Sequence, residues 1–89
     1  MRKIFIIVVY DISSKRVSRV MKICRKYLIP VQKSVFDGVI TEAKLKQMKV
    51  ELEKIIVPEQ DTVCIYKMDS LKYTSMEQIG LCRKADNIF

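Results

Sequence analysis

The carboxylate of Asp11 is the first group in this 89-residue sequence that could do metal chemistry. Asp11 follows an apolar run that ends in Tyr10 and precedes Ser13, so it stands where a predicted strand gives way to a loop. A carboxylate there can hold Mg²⁺ through one or two oxygens while water and a phosphate group fill the other positions. The alternative is that Asp11 caps the next helix. Because phosphodiester hydrolysis usually uses several acids, a twofold axis would have to bring a second Asp11 alongside.

Basic side chains dominate the segment after Asp11. Seven Lys and Arg residues and no acid lie between Asp11 and Asp37. Arg16 and Arg19 fall in the first two turns of a predicted helix, and Lys22 follows on its polar side. The planar guanidinium group suits bidentate contacts with phosphate. The alternatives are a solvated helix face or an ion pair between Arg16 and Asp11.

The overall charge favours an anionic partner. The chain has 17 Lys and Arg residues against 10 Asp and Glu residues, a formal net charge of +7 at pH 7, and no histidine. Histidine general bases and histidine metal ligands are therefore excluded within the chain. The charge indicates nucleic acid first and a membrane surface second. Positive charge that serves only solubility is the alternative.

Three cysteines and a short apolar run bear on the compartment. Cys24, Cys64 and Cys82 are odd in number and form no C-x-x-C pair. This pattern favours reduced thiols in a cytosol over a disulfide framework or a zinc site. The apolar run at residues 4–9 is too short for a membrane span, which needs about 20 residues. We therefore expect a cytoplasmic protein without a membrane partner.

A strand and a helix must position Asp11 and the basic residues. Residues 3–10 are rich in β-branched and aromatic side chains, which predicts a central strand. A helix over about residues 15–28 follows, and the hydroxyls of Ser13 and Ser14 can cap it. Apolar residues at helical spacing form one stripe of this helix. They are Val17, Val20, Met21, Cys24 and Leu28.

The second half of the chain predicts another helix between strands. Residues 31–40, after Pro30, form one kinked strand or two short ones, with a turn or bulge at Asp37-Gly38. Thr41 caps the second helix, and residues 61–68 form the strand that follows it. The buried stripe of the second helix is Leu45, Met48, Leu52, Ile55 and Ile56.

This order of elements predicts an α+β fold, a ferredoxin-like βαββαβ sandwich with one sheet and two helices on one of its faces. A short strand at Met76–Ile79, stopped by Gly80, completes a single domain over residues 1–80, and residues 81–89 are expected to be a loose tail. Helices on one face leave the other face of the sheet in need of cover. A second copy of the chain is the expected cover, because so short a chain has little else to offer.

Four short motifs occur together at spacings typical of a known family. They are V-Y-D-I-S at 9–13, K-R at 15–16, V-Q-x-S-V-F-D-G at 31–38 and D-x-V-x-I-Y at 61–66, with weaker similarity at Ile79-Gly80. On these motifs, which cover about residues 1–68, the sequence resembles the CRISPR-associated protein family 2.

The resemblance implies a homodimer in which a short C-terminal strand is exchanged with the dimer partner. It also implies a prokaryotic, cytoplasmic role in CRISPR spacer acquisition for antiviral defence, in complex with the CRISPR integrase subunit. Members of the family are described as Mg²⁺-dependent endonucleases that act on RNA or double-stranded DNA. By position, Asp11 matches the family's metal-binding, catalytic aspartate, and Arg16 matches its nearby arginine.

Two other functions remain open at this point. One is a non-catalytic, dimeric DNA-binding adaptor of the CRISPR integrase, and the other is a toxin-type ribonuclease of the same fold. The residues themselves favour nucleic-acid binding, through Arg16, Arg19 and Lys22, over catalysis. The basic helix is plain in the sequence, whereas a catalytic site depends on Asp11 alone.

Overall fold

One antiparallel sheet with two helices on one face makes up residues 3–69 and 72–80, which are the residues that the computed structural model describes. Its elements are β1 (Lys3–Asp11), α1 (Val17–Tyr27), β2 (Ile29–Gln32), β3 (Val35–Thr41), α2 (Glu42–Ile55), β4 (Thr62–Asp69) and β5 (Lys72–Gly80). The five strands lie in the order β2-β3-β1-β4-β5. This is the predicted α+β, ferredoxin-like arrangement.

β1 is the central strand because it is hydrogen-bonded on both sides. Val8 lies opposite Phe36 of β3 on one side and opposite Ile65 of β4 on the other. These three side chains are fully buried and point toward the helices. A strand with neighbours on both sides needs no polar edge, which explains why residues 3–10 are almost entirely apolar.

The core lies between the sheet and the two helices. On β1 the alternate residues are buried, as the period of two in a strand requires. The helices bury one stripe each. The buried members of these stripes are Val20, Ile23 and Cys24 of α1 and Leu45, Met48 and Leu52 of α2. Both predicted stripes thus face the sheet, with Ile23 added to the first.

Two local predictions were wrong at the start of α1 and within β3. Helix α1 begins after Arg16, without a side-chain cap, because the carbonyl of Ser13 accepts the backbone N–H groups of Arg16 and Val17 at 2.9 and 3.0 Å. The predicted turn or bulge at Asp37-Gly38 is not found, since both residues lie inside β3 and pair in regular register with β1. A Cβ at position 38 would come within 3.1 Å of Leu28, so glycine provides room for the chain that leaves α1.

Residues 31–40 belong to two strands. Their turn contains Ser34, whose φ of 65° is the left-handed conformation. Thr41 caps α2 as predicted, since its hydroxyl accepts the backbone N–H of Lys44 at 3.2 Å.

The C-terminal strand is longer than predicted and pairs within its own chain. β5 runs from Lys72 to Gly80 beside β4, with Val63 opposite Ile79. The exchange of this strand with a partner remains a prediction about the dimer. The predicted tail at residues 81–89 lies outside the described residues. Among the described helices, neither is long and apolar enough to cross a membrane.

Candidate functional site

Asp11 is the last residue of β1 and is exposed. Its neighbour Tyr10 is buried on the helix side, with its ring centroid 6.0 Å from that of Phe36. Because successive side chains on a strand point to opposite faces, Asp11 lies on the face that the helices leave open. Thr62, the first residue of β4, is its partner across the strands. The strand alternation therefore presents this carboxylate to solvent at the end of the central strand.

The open face of the sheet around Asp11 is largely apolar. Phe5, Ile7 and Val9 lie on it from β1, and Val9 keeps 38% of its surface exposed. Val39 of β3, opposite Phe5, is 60% exposed. An uncovered apolar surface of this kind is typical of a face that contacts another molecule.

A buried acid that begins the D-x-V-x-I-Y motif, but for which the sequence predicted no role, lies behind the loop that follows Asp11. The Asp61 side chain is fully buried and accepts four hydrogen bonds. The backbone N–H groups of Ser13 and Val57 donate to it, both at 2.9 Å. The guanidinium of Arg16 donates through Nε at 2.6 Å and through Nη2 at 3.1 Å. Two charge-assisted bonds and two backbone bonds satisfy a carboxylate that would otherwise be costly to bury.

These contacts determine the ionisation of Asp61. The hydrogen bond from Arg16 lowers the pKa of the Asp61 carboxyl to about 2, and the backbone N–H groups of Val57 and Ser13 lower it further against the opposing effect of burial. Asp61 is therefore an anion throughout the ordinary pH range. The same hydrogen bond raises the pKa of Arg16.

Arg16 has a different partner from the one considered in the sequence. Its ion pair is with Asp61, whereas the alternative predicted from the sequence was an ion pair with Asp11. Nη2 also donates to the side-chain oxygen of Gln60 at 2.9 Å. The guanidinium thus links the loop after β1 to the residues before β4. A role for Arg16 in binding nucleic acid stays a prediction.

Helix α1 presents a basic face to solvent. Arg19, Lys22, Arg25 and Lys26 are all exposed, on the side opposite the buried stripe. Glu51 of α2 pairs with Lys26, and the Tyr27 hydroxyl donates to the same carboxylate at 2.5 Å. The structure thus places Arg19 and Lys22 on the surface, as predicted, whereas Arg16 is held in an ion pair with Asp61.

Asp11 is the metal ligand that the sequence predicts, and its setting is compatible with Mg²⁺. This ion keeps several waters and often takes only one or two carboxylates from a protein, so an exposed carboxylate with room for water suits it. Within residues 3–69 and 72–80, no three acidic or cysteine side chains cluster in a way that could hold a metal. Among the described residues, Asp11 therefore does not belong to a ready-made set of three ligands, and water, a substrate or a partner would have to supply further ligands.

Comparison with known proteins gives consistent matches over most of the chain. The family model for CRISPR associated protein Cas2 matches residues 4–76. The CRISPR-associated endoribonuclease Cas2 of Thermotoga maritima is 39% identical over 82 residues, which are 92% of this chain and 94% of the relative. The protein of the same name from Dictyoglomus turgidum is 42% identical over 77 residues, covering 86% and 88% of the two chains.

Solved structures agree with these sequence matches. A crystal structure of Cas2 superposes with a TM-score of 0.71 at 40% identity, covering 75% of this chain and 76% of the other. The structure of Streptococcus pyogenes Cas2 at pH 6.5 has a TM-score of 0.60 at 25% identity and covers 96% and 94% of the two chains.

Proposed function

This chain belongs to the Cas2 family of CRISPR-associated proteins, and we propose that it is a metal-dependent endonuclease that acts in CRISPR spacer acquisition in a prokaryotic cytoplasm. Its substrate is RNA or double-stranded DNA. The relatives named above are called endoribonucleases, which supports the RNA arm of the proposal. The net charge of +7 supports a polyanionic substrate of either kind.

The observation that carries the proposal is the position of Asp11. Its carboxylate is exposed at the end of the central strand, beside the loop that leads into the basic helix α1. When bound, Mg²⁺ would neutralise phosphate charge and lower the pKa of a water molecule. Asp11 would hold the ion, Arg19 and Lys22 would bind neighbouring phosphates, and the Arg16–Asp61 pair would hold the loop between them.

A homodimer fits this site better than a single chain does. The apolar open face that carries Asp11 at one end needs cover, and a second copy supplies a complementary surface of the same kind. A twofold axis near the end of β1 would bring two Asp11 carboxylates to one metal site. The CRISPR integrase subunit is the proposed second protein partner.

One observation favours a second candidate function, that of a non-catalytic DNA-binding adaptor of the integrase. The part of the chain that the structure describes shows no cluster of three metal-binding side chains, while the basic face of α1 is complete in each copy. An adaptor would depend on that face and on the C-terminal strand around Ile79 more than on Asp11.

Replacing Asp11 by asparagine separates the two functions. Asp11→Asn keeps the side chain's size but removes the charge that Mg²⁺ needs, so cleavage should fall roughly a hundredfold or more. The assay follows labelled RNA and duplex DNA with Mg²⁺ and again with chelator, which should stop cleavage. The matched control is Asp37→Asn, which removes another acid from the same open face and should leave the rate nearly unchanged.

Two outcomes would contradict the nuclease proposal. The first is cleavage that survives in Asp11→Asn as well as in Asp37→Asn. The second is an absence of cleavage by the wild-type dimer with Mg²⁺, combined with normal binding of DNA and of the integrase by Asp11→Asn. That second pattern would establish the adaptor function.

A further inference from the structure

A cavity of about 270 Å³ lies at the end of β1 opposite Asp11. Lysines from three different elements line it, namely Lys3 of β1, Lys26 of α1 and Lys44 of α2. Lys3 and Asp11 are the two ends of a nine-residue strand, and eight steps of about 3.3 Å place them about 26 Å apart. The cavity is therefore separate from the candidate metal site.

The positive charge around this cavity is only partly paired by the residues that the structure describes. None of the described residues that line it is acidic. Lys26 is paired with Glu51, whereas Lys3 and Lys44 make no ion pair with a described residue. Like charges gathered around one cavity repel one another, and a bound anion removes that repulsion. The cavity is thus electrostatically suited to a phosphate group.

The remaining walls suit the rest of a nucleotide. Val39 and Ile40 supply apolar surface, and the ring of Tyr27 stands beside them. The Tyr27 hydroxyl donates to Glu51, which holds the ring in place. The cavity's volume of about 270 Å³ is just below the range of about 300–1,000 Å³ that is usual for small-molecule sites, so it has room for one phosphate and its sugar but not for a larger ligand. A phosphate with its sugar fits this combination better than a bare inorganic ion.

The basic face of α1 leads into the cavity. Arg19, Lys22 and Lys26 stand at positions i, i+3 and i+7, so they form one stripe along the helix. At 1.5 Å per residue the stripe is about 11 Å long, which corresponds to about three phosphates of one strand. We propose that the cavity anchors one nucleotide of the nucleic-acid strand that the α1 face binds, with its phosphate between Lys3 and Lys44. This inference rests on the proposed function only for its ligand, a nucleic acid, and it does not require the protein to cleave that nucleic acid.

A pair of lysine substitutions tests the anchor by binding alone. Lys3→Gln with Lys44→Gln should weaken binding of a labelled twelve-uridine RNA by about fivefold to tenfold and reduce the log–log salt slope by about 0.7, the value for one single-strand phosphate. Chelator is present throughout, so no cleavage is needed. The matched control is Lys46→Gln with Lys54→Gln, two exposed lysines of α2 that do not line the cavity. Equal losses in the two double variants would overturn the proposal.

Binding of a single nucleotide to the native protein gives a second, independent readout. Uridine 5′-monophosphate should shift the backbone amide NMR signals of Thr41 and Lys44 saturably, and uridine without phosphate should not. An absence of saturable shifts at these residues would overturn the anchor. Neither binding measurement depends on Asp11. If Asp11 proves to have no catalytic role, nucleotide binding in the cavity can still be observed. If the cavity does not bind a nucleotide, the cleavage assay of Asp11→Asn still tests the nuclease proposal.

Discussion

At the scale of single residues, the ion pair between Arg16 and Asp61 connects the loop after β1 to the start of β4, and we call this pair the clasp. They lie 45 positions apart in sequence, yet the carboxylate of Asp61 holds both the Arg16 guanidinium and the backbone N–H of Ser13. Ser13 is two residues beyond Asp11, so the clasp fixes the path of the chain directly after the candidate metal ligand. A position for Asp11 that is set by the main chain suits metal binding, because ligand geometry is then fixed before the ion arrives.

The clasp makes the stability of the protein depend on acid pH. Asp61 has a folded pKa lowered from 3.8 to about 2. A lowered folded pKa contributes stability that is complete above the unfolded pKa and is lost as pH falls through the folded pKa. The melting temperature of the wild type should therefore fall between about pH 4 and pH 2, and Asp61→Asn should lose stability at neutral pH but show less of this acid-dependent fall.

Melting curves followed by circular dichroism between pH 2 and pH 7 check this prediction. Glu59→Gln, which changes an exposed acid two residues away, is the matched control and should behave like the wild type. An Asp61→Asn protein with the melting temperature and acid profile of the wild type would contradict the clasp.

The sequence predicted Asp11 but not Asp61, and the reason is physical. The exposure of Asp11 follows from local alternation along β1, which is visible in the residues on either side. The burial of Asp61 follows from a tertiary contact with Arg16, and no local pattern marks an acid whose partner is so distant. Asp61 is the first residue of the D-x-V-x-I-Y motif and of the strand predicted at residues 61–68, but nothing in that motif shows that its side chain is buried or which residue it pairs with.

The two helices differ at the scale of elements, although the sequence predicted both stripes. Helix α2 mixes charges on its exposed side, with Glu51 and Glu53 among its lysines, whereas α1 has no acid at all. The predicted start of α1 failed because a backbone carbonyl, at Ser13, replaced the expected side-chain cap. The periodicity of apolar residues in a helix can be recognised from the sequence alone. Which group caps the helix depends on the path of the preceding loop, which tertiary contacts determine.

Charge reversal on α1 tests whether this helix binds nucleic acid. Arg16 is left intact because its reversal would break the pair with Asp61. Arg19→Glu with Lys22→Glu should weaken duplex and RNA binding at least tenfold, because two phosphate contacts are lost and the new carboxylates repel phosphate. Each lost contact should also reduce the salt slope on duplex DNA by about 0.9. Both residues are exposed, so the fold should persist in circular dichroism.

The control for this test is the same reversal at Lys46 and Lys54 of α2, measured by fluorescence anisotropy at several salt concentrations. If the α1 variant and the α2 variant bind nucleic acid equally well, the nucleic-acid surface lies elsewhere on the molecule.

At the scale of the whole molecule, the sheet has one covered face and one open face. The order of strands and helices was sufficient to predict this layering, because each helix connects two strands that run parallel on either side of a third strand, and right-handed connections of this kind place both helices on the same face. The continuity of β3 through Asp37-Gly38 was not predictable in this way. Glycine beside aspartate ordinarily marks a turn, and here it instead gives room to Leu28, the residue between α1 and β2.

The open face predicts self-association that a single charge can disrupt. Val9 lies on the central strand β1, two residues before Asp11, and 38% of its surface is exposed on the open face. Light scattering at micromolar concentration should give about twice the 10.4 kDa chain mass for the wild type. Val9→Glu would bury an unpaired carboxylate in that interface, so it should be monomeric. The matched control is Val50→Glu on α2, where valine is 45% exposed away from the sheet, and this variant should remain dimeric.

The same variants connect assembly to the candidate metal site. If two Asp11 carboxylates share one ion across the twofold axis, the monomeric Val9→Glu protein should lose Mg²⁺-dependent cleavage. Its α1 face should still bind nucleic acid. This binding should be weaker than that of the wild type, because a single copy makes the contacts. Asp11→Asn should lose cleavage as a dimer. A Val9→Glu protein that is monomeric and fully active would mean that each chain carries its own site, and a wild type that is monomeric throughout the micromolar range would remove the shared site altogether.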